Sequence, residues 1–113
     1  MNKKIELKIF VPPVVACNYQ KSWKYAIDMV QKRLEARFGD IFELQMIELL
    51  SLESFSYPEI IAGLQQKKLD APIITLNGEV IKHGGKLSEG FLRRTIEDEL
   101  DREHSGLLSN NLK

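Results

Sequence analysis

Apolar positions change period along the chain, and each change marks an element. In residues 5–11, Ile5, Leu7, Ile9 and Val11 fall on alternate positions, which puts them on one face of a β-branched strand. Pro12-Pro13 must end that strand, because proline has no amide to give a ladder. From Tyr19 the apolar residues follow helical spacing through Trp23, Ala26, Ile27, Val30, Leu34 and Phe38, with Gly39 as the stop. The opposite side carries Lys24, Asp28, Lys32 and Glu35, which can pair across turns and read as a solvated face.

Alternation returns at Phe42, Leu44 and Met46, so residues 41 to about 49 form a second strand. Ser56, Pro58 and Glu59 then compose a helix opening: Ser56 caps, Glu59 reaches back, and Pro58 loses no intrahelical bond. Ile60, Ile61, Leu64 and Leu69 mark the buried side of this second helix, and Pro72 halts it. Residues 73–76 and 79–82 flank Asn77-Gly78, the dipeptide best suited to positive φ at both turn positions, and so form a hairpin. Gly84-Gly85 breaks the fourth strand, Ser88 caps a third helix, and Phe91, Leu92, Thr95, Ile96 and Leu100 line it. Glu97, Asp98, Glu99 and Asp101 read as that helix's wet face, balanced by Arg93 and Arg94. No period survives from about Glu103, so residues 1–102 are expected as one domain and 103–113 as a flexible tail. The order is β-α-β-α-β-β-α, a right-handed parallel unit followed by an antiparallel hairpin and a covering helix.

Composition narrows the function classes. The 113 residues suffice for one core without disulfides or metals. Sixteen basic and sixteen acidic residues cancel, and no basic cluster is interleaved with aromatics, which argues against nucleic acid and anionic membranes as partners. The N-terminal MNKKIELKIF builds no apolar signal region, and no run approaches the roughly 18 apolar residues of a spanning helix. A single cysteine cannot make an intramolecular disulfide and suits a reducing compartment, so a cytoplasmic location is expected. Metal-ligand clusters, phosphate loops, dinucleotide fingerprints and nucleophile elbows are missing.

That cysteine, Cys17, falls where the first strand hands over to the first helix. A thiol attacks only as thiolate, and a free cysteine, with a pKa of about 8.5, is mostly protonated at neutral pH. If Asn18 caps the helix, Cys17 meets unsatisfied N–H groups and the positive end of the dipole; if Ser22 caps it, Cys17 lies too far upstream to gain. Lys21 adds positive charge in either register, and no acidic residue lies between Pro12 and Tyr25. Against a reactive thiol stands a small buried hydrophobe following Val14-Val15-Ala16. Trp23 is expected in the core, Tyr25 in solvent, and His83 on the surface beside a turn. Gly84-Gly85 either admits a ligand backbone or supplies a loop that needs positive φ.

Three local features fall at element boundaries in a telling order. Cys17-Asn18-Tyr19-Gln20 resembles a Cys-x-Tyr-Cys active-site motif whose second cysteine is lost. Ala71-Pro72-Ile73-Ile74, before the hairpin, is similar to a cis-proline motif, and Gly84-Gly85 is similar to the paired glycines that contact glutathione in glutaredoxins. With the element order from Ile5 to about Leu100, the chain resembles the thioredoxin-like superfamily, in particular its small glutaredoxin-like members with a single cysteine. The resemblance implies a thioredoxin-like α/β fold, βαβαββα, with a four-stranded mixed sheet and helices on both faces. It implies Cys17 as the nucleophile and Asn18, Tyr19, Gln20, Ala71, Pro72, Gly84 and Gly85 as binding residues. It also implies a cis Ala71-Pro72 bond that presents the Ala71 backbone to an extended peptide or thiol tripeptide.

The departures from that pattern shape the expected chemistry. Gln20 occupies the resolving cysteine's place, which removes the intramolecular dithiol cycle. The apolar Pro12-Pro13-Val14-Val15 loop is longer than a glutaredoxin's, and Lys86 stands where many glutaredoxins have an acid, so glutathione is one candidate among low-molecular-weight thiols. The resemblance leaves two functions. In one, Cys17 performs monothiol disulfide exchange or carries a thiol, a second thiol resolves the mixed disulfide, and a variant bridges an iron–sulfur cluster between two chains. In the other, the chain is a non-catalytic thioredoxin-fold binding or dimerisation module whose Ala71-Pro72 and Val14-Val15 segments take a protein partner or a second copy.

Overall fold

A computed structural model of the chain describes residues 4–12 and 17–112, with side chains described at 4–12 and 23–102. Strand β1 (Ile5–Val11) leads to helix α1 (Cys17–Phe38), then β2 (Phe42–Glu48), a 3-10 turn (Glu53–Ser56) and α2 (Pro58–Gln65). The hairpin of β3 (Ile73–Leu76) and β4 (Glu79–His83) and helix α3 (Glu89–Leu112) complete it. The sheet order is β2-β1-β3-β4. β1 pairs in parallel with β2, Ile5 opposite Phe42, and antiparallel with β3, Phe10 opposite Ile73. The four-stranded mixed sheet with its three helices is the thioredoxin-like α/β arrangement expected from the element order.

Period two in β1 explains how the sheet is covered. Ile5, Leu7, Ile9 and Val11 pack with Ile27, Val30 and Leu34 of α1 and Leu92 and Ile96 of α3 on one face. Phe10, from the alternate set, packs with Ile47, Leu49, Ile60 and Ile73 on the face that α2 covers. Burying both faces of the central strand removes apolar area from water on two sides, about 25 cal/mol per Å². Helix α1 stops as expected: Gly39 adopts φ +73°, and its amide donates to the Glu35 carbonyl at 2.8 Å. Asn77 and Gly78 both take positive φ, 50° and 90°, as the hairpin reading requires. The Ser88 hydroxyl accepts the Phe91 amide at 3.1 Å and caps α3.

Several local details differ from the sequence-based expectations. Ser56 does not cap α2; it ends the 3-10 turn, Tyr57 takes the N-cap position without a side-chain bond, and Pro58 opens the helix. The 3-10 turn consumes the backbone that a capping box would need. Helix α1 begins at Cys17, upstream of both Asn18 and Ser22. Helix α3 spans Glu89–Leu112, past its last periodic apolar position, Leu100. Glu99 is not on a wet face: it is 7% exposed, held by Asn77 and Arg102. Glu97 pairs across the helices with Arg37 at 3.0 Å, not with Arg93.

Candidate functional site

Sheet register assembles the candidate site. Phe10 faces Ile73 and Ile73 faces His83, so the C-terminal ends of β1 and β4 flank the N-terminal end of β3. Chain continuity therefore brings the end of β1 at Val11, the Ala71-Pro72 step entering β3, and Gly84-Gly85 leaving β4 to one end of the sheet. Residues separated by more than fifty positions meet because three adjacent strands end there.

Direct bonds hold the β3–β4 half of this end. The Gly84 amide donates to the Asp70 carbonyl at 2.8 Å and to the Pro72 carbonyl at 2.9 Å. The Asp70 amide donates to His83 Nδ1 at 3.2 Å. The Ala71-Pro72 bond is cis, and Pro72 is buried while Ala71 is half-buried. A trans peptide points its C=O and N–H in opposite directions. With the Asp70 carbonyl turned to Gly84, the Ala71 N–H points away from β4, and no described residue accepts from it.

The paired glycines are explained by their backbone. Gly84 and Gly85 both have φ +74°, a region costly for residues with a Cβ. A Cβ on Gly85 would meet open space, and one on Gly84 would make ordinary contact with Asp70 at 3.5 Å. Loop conformation alone therefore requires glycine here, and a closely approaching ligand is not needed to account for it.

Helix α1 starts at Cys17, and its first turn contains no acidic residue. The side chains of Cys17, Asn18, Tyr19 and Gln20, and all of Val14 and Val15, lie outside the described residues. Trp23 is half-buried against the core, while Tyr25 is exposed, both as expected. His83 is exposed as expected, but it is a hydrogen-bond acceptor for Asp70 and so part of this loop's structure. Only the short distance between an X-Pro step and a strand-ending histidine across a hairpin could have signalled that role.

Two further features were not legible. A cavity of about 460 Å³ opens on the α2 face beside the hairpin turn, lined by Lys8, Tyr57, Thr75 and Val80, and none of the predicted site residues borders it. Leu50, Leu52 and Phe55, after β2, are exposed apolar residues, Leu52 at 91%. Among the described residues no group of three or more His, Cys, Asp and Glu side chains could hold a metal ion. The described donor set thus offers nothing to which a chain-held metal could be assigned. No helix among the described residues is long and apolar enough to cross a membrane.

The fold is that of a small α/β protein with a thioredoxin-like arrangement. The solved crystal structure of a protein of unknown function from Staphylococcus aureus is similar to it, with a TM-score of 0.60 and 20% sequence identity over 87% of this chain and 93% of that one. At that identity the likeness speaks for the fold alone. No protein-family model matches the chain. No curated protein matches it either.

Proposed function

We propose that this chain is a glutaredoxin-like monothiol protein, in which Cys17 carries out disulfide exchange with a low-molecular-weight thiol of the glutathione kind. The observation that supports it most is the meeting at one sheet end of the last residues of β1, the strand that precedes the helix beginning at Cys17, with the Ala71-Pro72 step and the Gly84 amide bonded to the Pro72 carbonyl. The Cys17 thiolate attacks one sulfur of a disulfide RS–SR′, forming Cys17–S–SR and expelling R′S⁻. A second thiolate, R″S⁻, then attacks the R sulfur, forming RS–SR″ and regenerating the Cys17 thiolate. Gln20 offers no internal thiol, so the resolving thiol must come from solution. The Ala71 N–H, turned away from β4, suits one backbone bond to an extended thiol tripeptide. The reading includes a reducing, cytoplasmic setting.

Labelling with iodoacetamide across pH tests it. The native protein should label at Cys17 with a midpoint well below that of free cysteine, and Cys17→Ser should abolish exchange with a glutathione mixed disulfide. Labelling only after denaturation would overturn the reading.

One observation favours a second reading. Exposed Leu50, Leu52 and Phe55 suit a surface that meets another protein. Here the thioredoxin-fold chain is a non-catalytic binding or dimerisation module, which predicts that Cys17→Ser retains full cellular activity while Leu52→Asp loses it.

A further inference from the structure

The backbone before β3 is held from β4 by three hydrogen bonds, and one of them depends on an ionisable ring. The Gly84 amide holds the carbonyls of Asp70 and Pro72, which bracket Ala71, at 2.8 and 2.9 Å. The third bond runs from the Asp70 amide to His83 Nδ1 at 3.2 Å. An acceptor nitrogen must carry its lone pair, so this bond requires a neutral ring with its proton on Nε2. An imidazolium has N–H on both nitrogens and would set one donor against another.

We infer that His83 is a positioning residue for the Asp70 backbone, whose amide it accepts, and that protonation of its ring releases that amide and loosens the edge that begins at Ala71. The inference rests on the reading of Ala71 as the edge that pairs with a thiol tripeptide, and it names a regulation of that edge. The ring's cross-strand partner is the apolar Ile73. The charged residues of the segments that meet here are Asp70, whose amide the ring accepts, Lys67 and Lys68 before it in the chain, Lys86 beyond Gly85, and Lys82 on β4, whose ammonium lies 4.7 Å from the Phe91 ring centre. Among the described residues no carboxylate forms an ion pair with the ring. Protonation therefore removes an acceptor from Asp70 with no ion pair already in place on the ring to offset it.

Nuclear magnetic resonance on the full chain tests this. At about pH 8 the His83 nitrogens should show the Nε2–H tautomer. Between about pH 8 and about pH 5, Asp70 amide exchange, corrected for its intrinsic pH dependence, should accelerate about fivefold to tenfold relative to the rest of β3 and β4. His83→Asn places a non-titrating acceptor oxygen near the Nδ1 position and should keep Asp70 protected at both pH values. His83→Ala should expose it at both. An Nδ1–H tautomer at pH 8, or an Asp70 amide in His83→Ala protected as in the wild type, would overturn the inference. An inert Cys17 leaves all these signals unchanged, so failure of the thiol reading and failure of this one are told apart.

Discussion

The Asn77 side chain, at the tip of the β3–β4 hairpin, donates from Nδ2 to Glu99 Oε2 on α3 at 3.3 Å. Its Oδ1 accepts the Glu6 amide at 2.9 Å, and its own amide donates to the Glu6 carbonyl at 2.8 Å. One turn residue thus ties together the central strand, the hairpin and the covering helix. The buried Glu99 carboxylate is tolerated because Asn77 and Arg102, the latter at 3.1 Å, both serve it.

Replacing Asn77 by glycine separates the turn from the tie. Glycine keeps positive φ at this position but removes both side-chain bonds, leaving Glu99 with the exposed Arg102 alone. Asn77→Gly should cost about 1–3 kcal/mol, the range for stripping a partner from a buried polar group. Glu99→Gln, which can still accept from Asn77, should cost less. Urea unfolding measures both, and an Asn77→Gly protein as stable as wild type would show the tie to be idle.

The same pair marks where sequence reading reached and where it stopped. Asn77-Gly78 and the alternation in β1 act through the local backbone, so residue type alone was enough to name the hairpin and one buried face of the strand, while helices on both faces followed from the resemblance. Glu99 sits in a run of acids that looks solvated, and only the packing of α3 over the hairpin turns it inward. Ser56 matched a capping pattern, but the 3-10 turn before it had no periodic signature and took its backbone. At the candidate site, the element order was enough to bring Ala71, Pro72, Gly84 and Gly85 to one end. The bond from Asp70 to His83 was not readable, because it depends on how β4 registers against β3, including a shift at Ile74/Thr75.

Phe10 should be the costliest single truncation on the α2 face. It is fully buried, and its ring meets Tyr57 edge-on with centroids 5.1 Å apart and planes at 78°. Phe10→Ala should lose about 3–5 kcal/mol through lost transfer energy and a residual cavity. A double-mutant cycle of Phe10→Leu with Tyr57→Leu should show about 0.5–1.5 kcal/mol of coupling from the ring pair. Additive losses in denaturant unfolding would mean the rings contribute area alone.

Two ion pairs join α1 to α3 and should matter little. Arg33–Glu89 and Arg37–Glu97 both span 3.0 Å, but both arginines have side chains more than half exposed, at 63% and 58%. Solvent screening and side-chain entropy offset most of the attraction. Glu89→Gln and Glu97→Gln should each change stability by less than about 1 kcal/mol. Whatever loss appears at low salt should vanish near 1 M salt, where screening acts within about 3 Å. A loss that persists in high salt would point to a geometric role for these carboxylates.

Gly63 in α2 sets two effects of opposite sign against each other. Alanine in a helix interior is worth about 1 kcal/mol over glycine. A Cβ at Gly63, however, would lie 2.5 Å from Leu69 Cδ1 and 2.8 Å from Cγ. Leu69 cannot simply swing aside, because its amide and that of Lys68 both donate to the Gly63 carbonyl, at 3.1 and 2.8 Å, which fixes where its side chain begins. Overpacking of this kind costs about 1–3 kcal/mol, so Gly63→Ala should be neutral to destabilising by about 2 kcal/mol despite the helix preference. Removing the obstruction should reverse the sign: in a Leu69→Ala background the same Gly63→Ala change should stabilise. Thermal unfolding of the four proteins in this cycle checks it. If Gly63→Ala stabilises the wild-type chain, the Leu69 side chain yields more readily than its backbone bonds suggest.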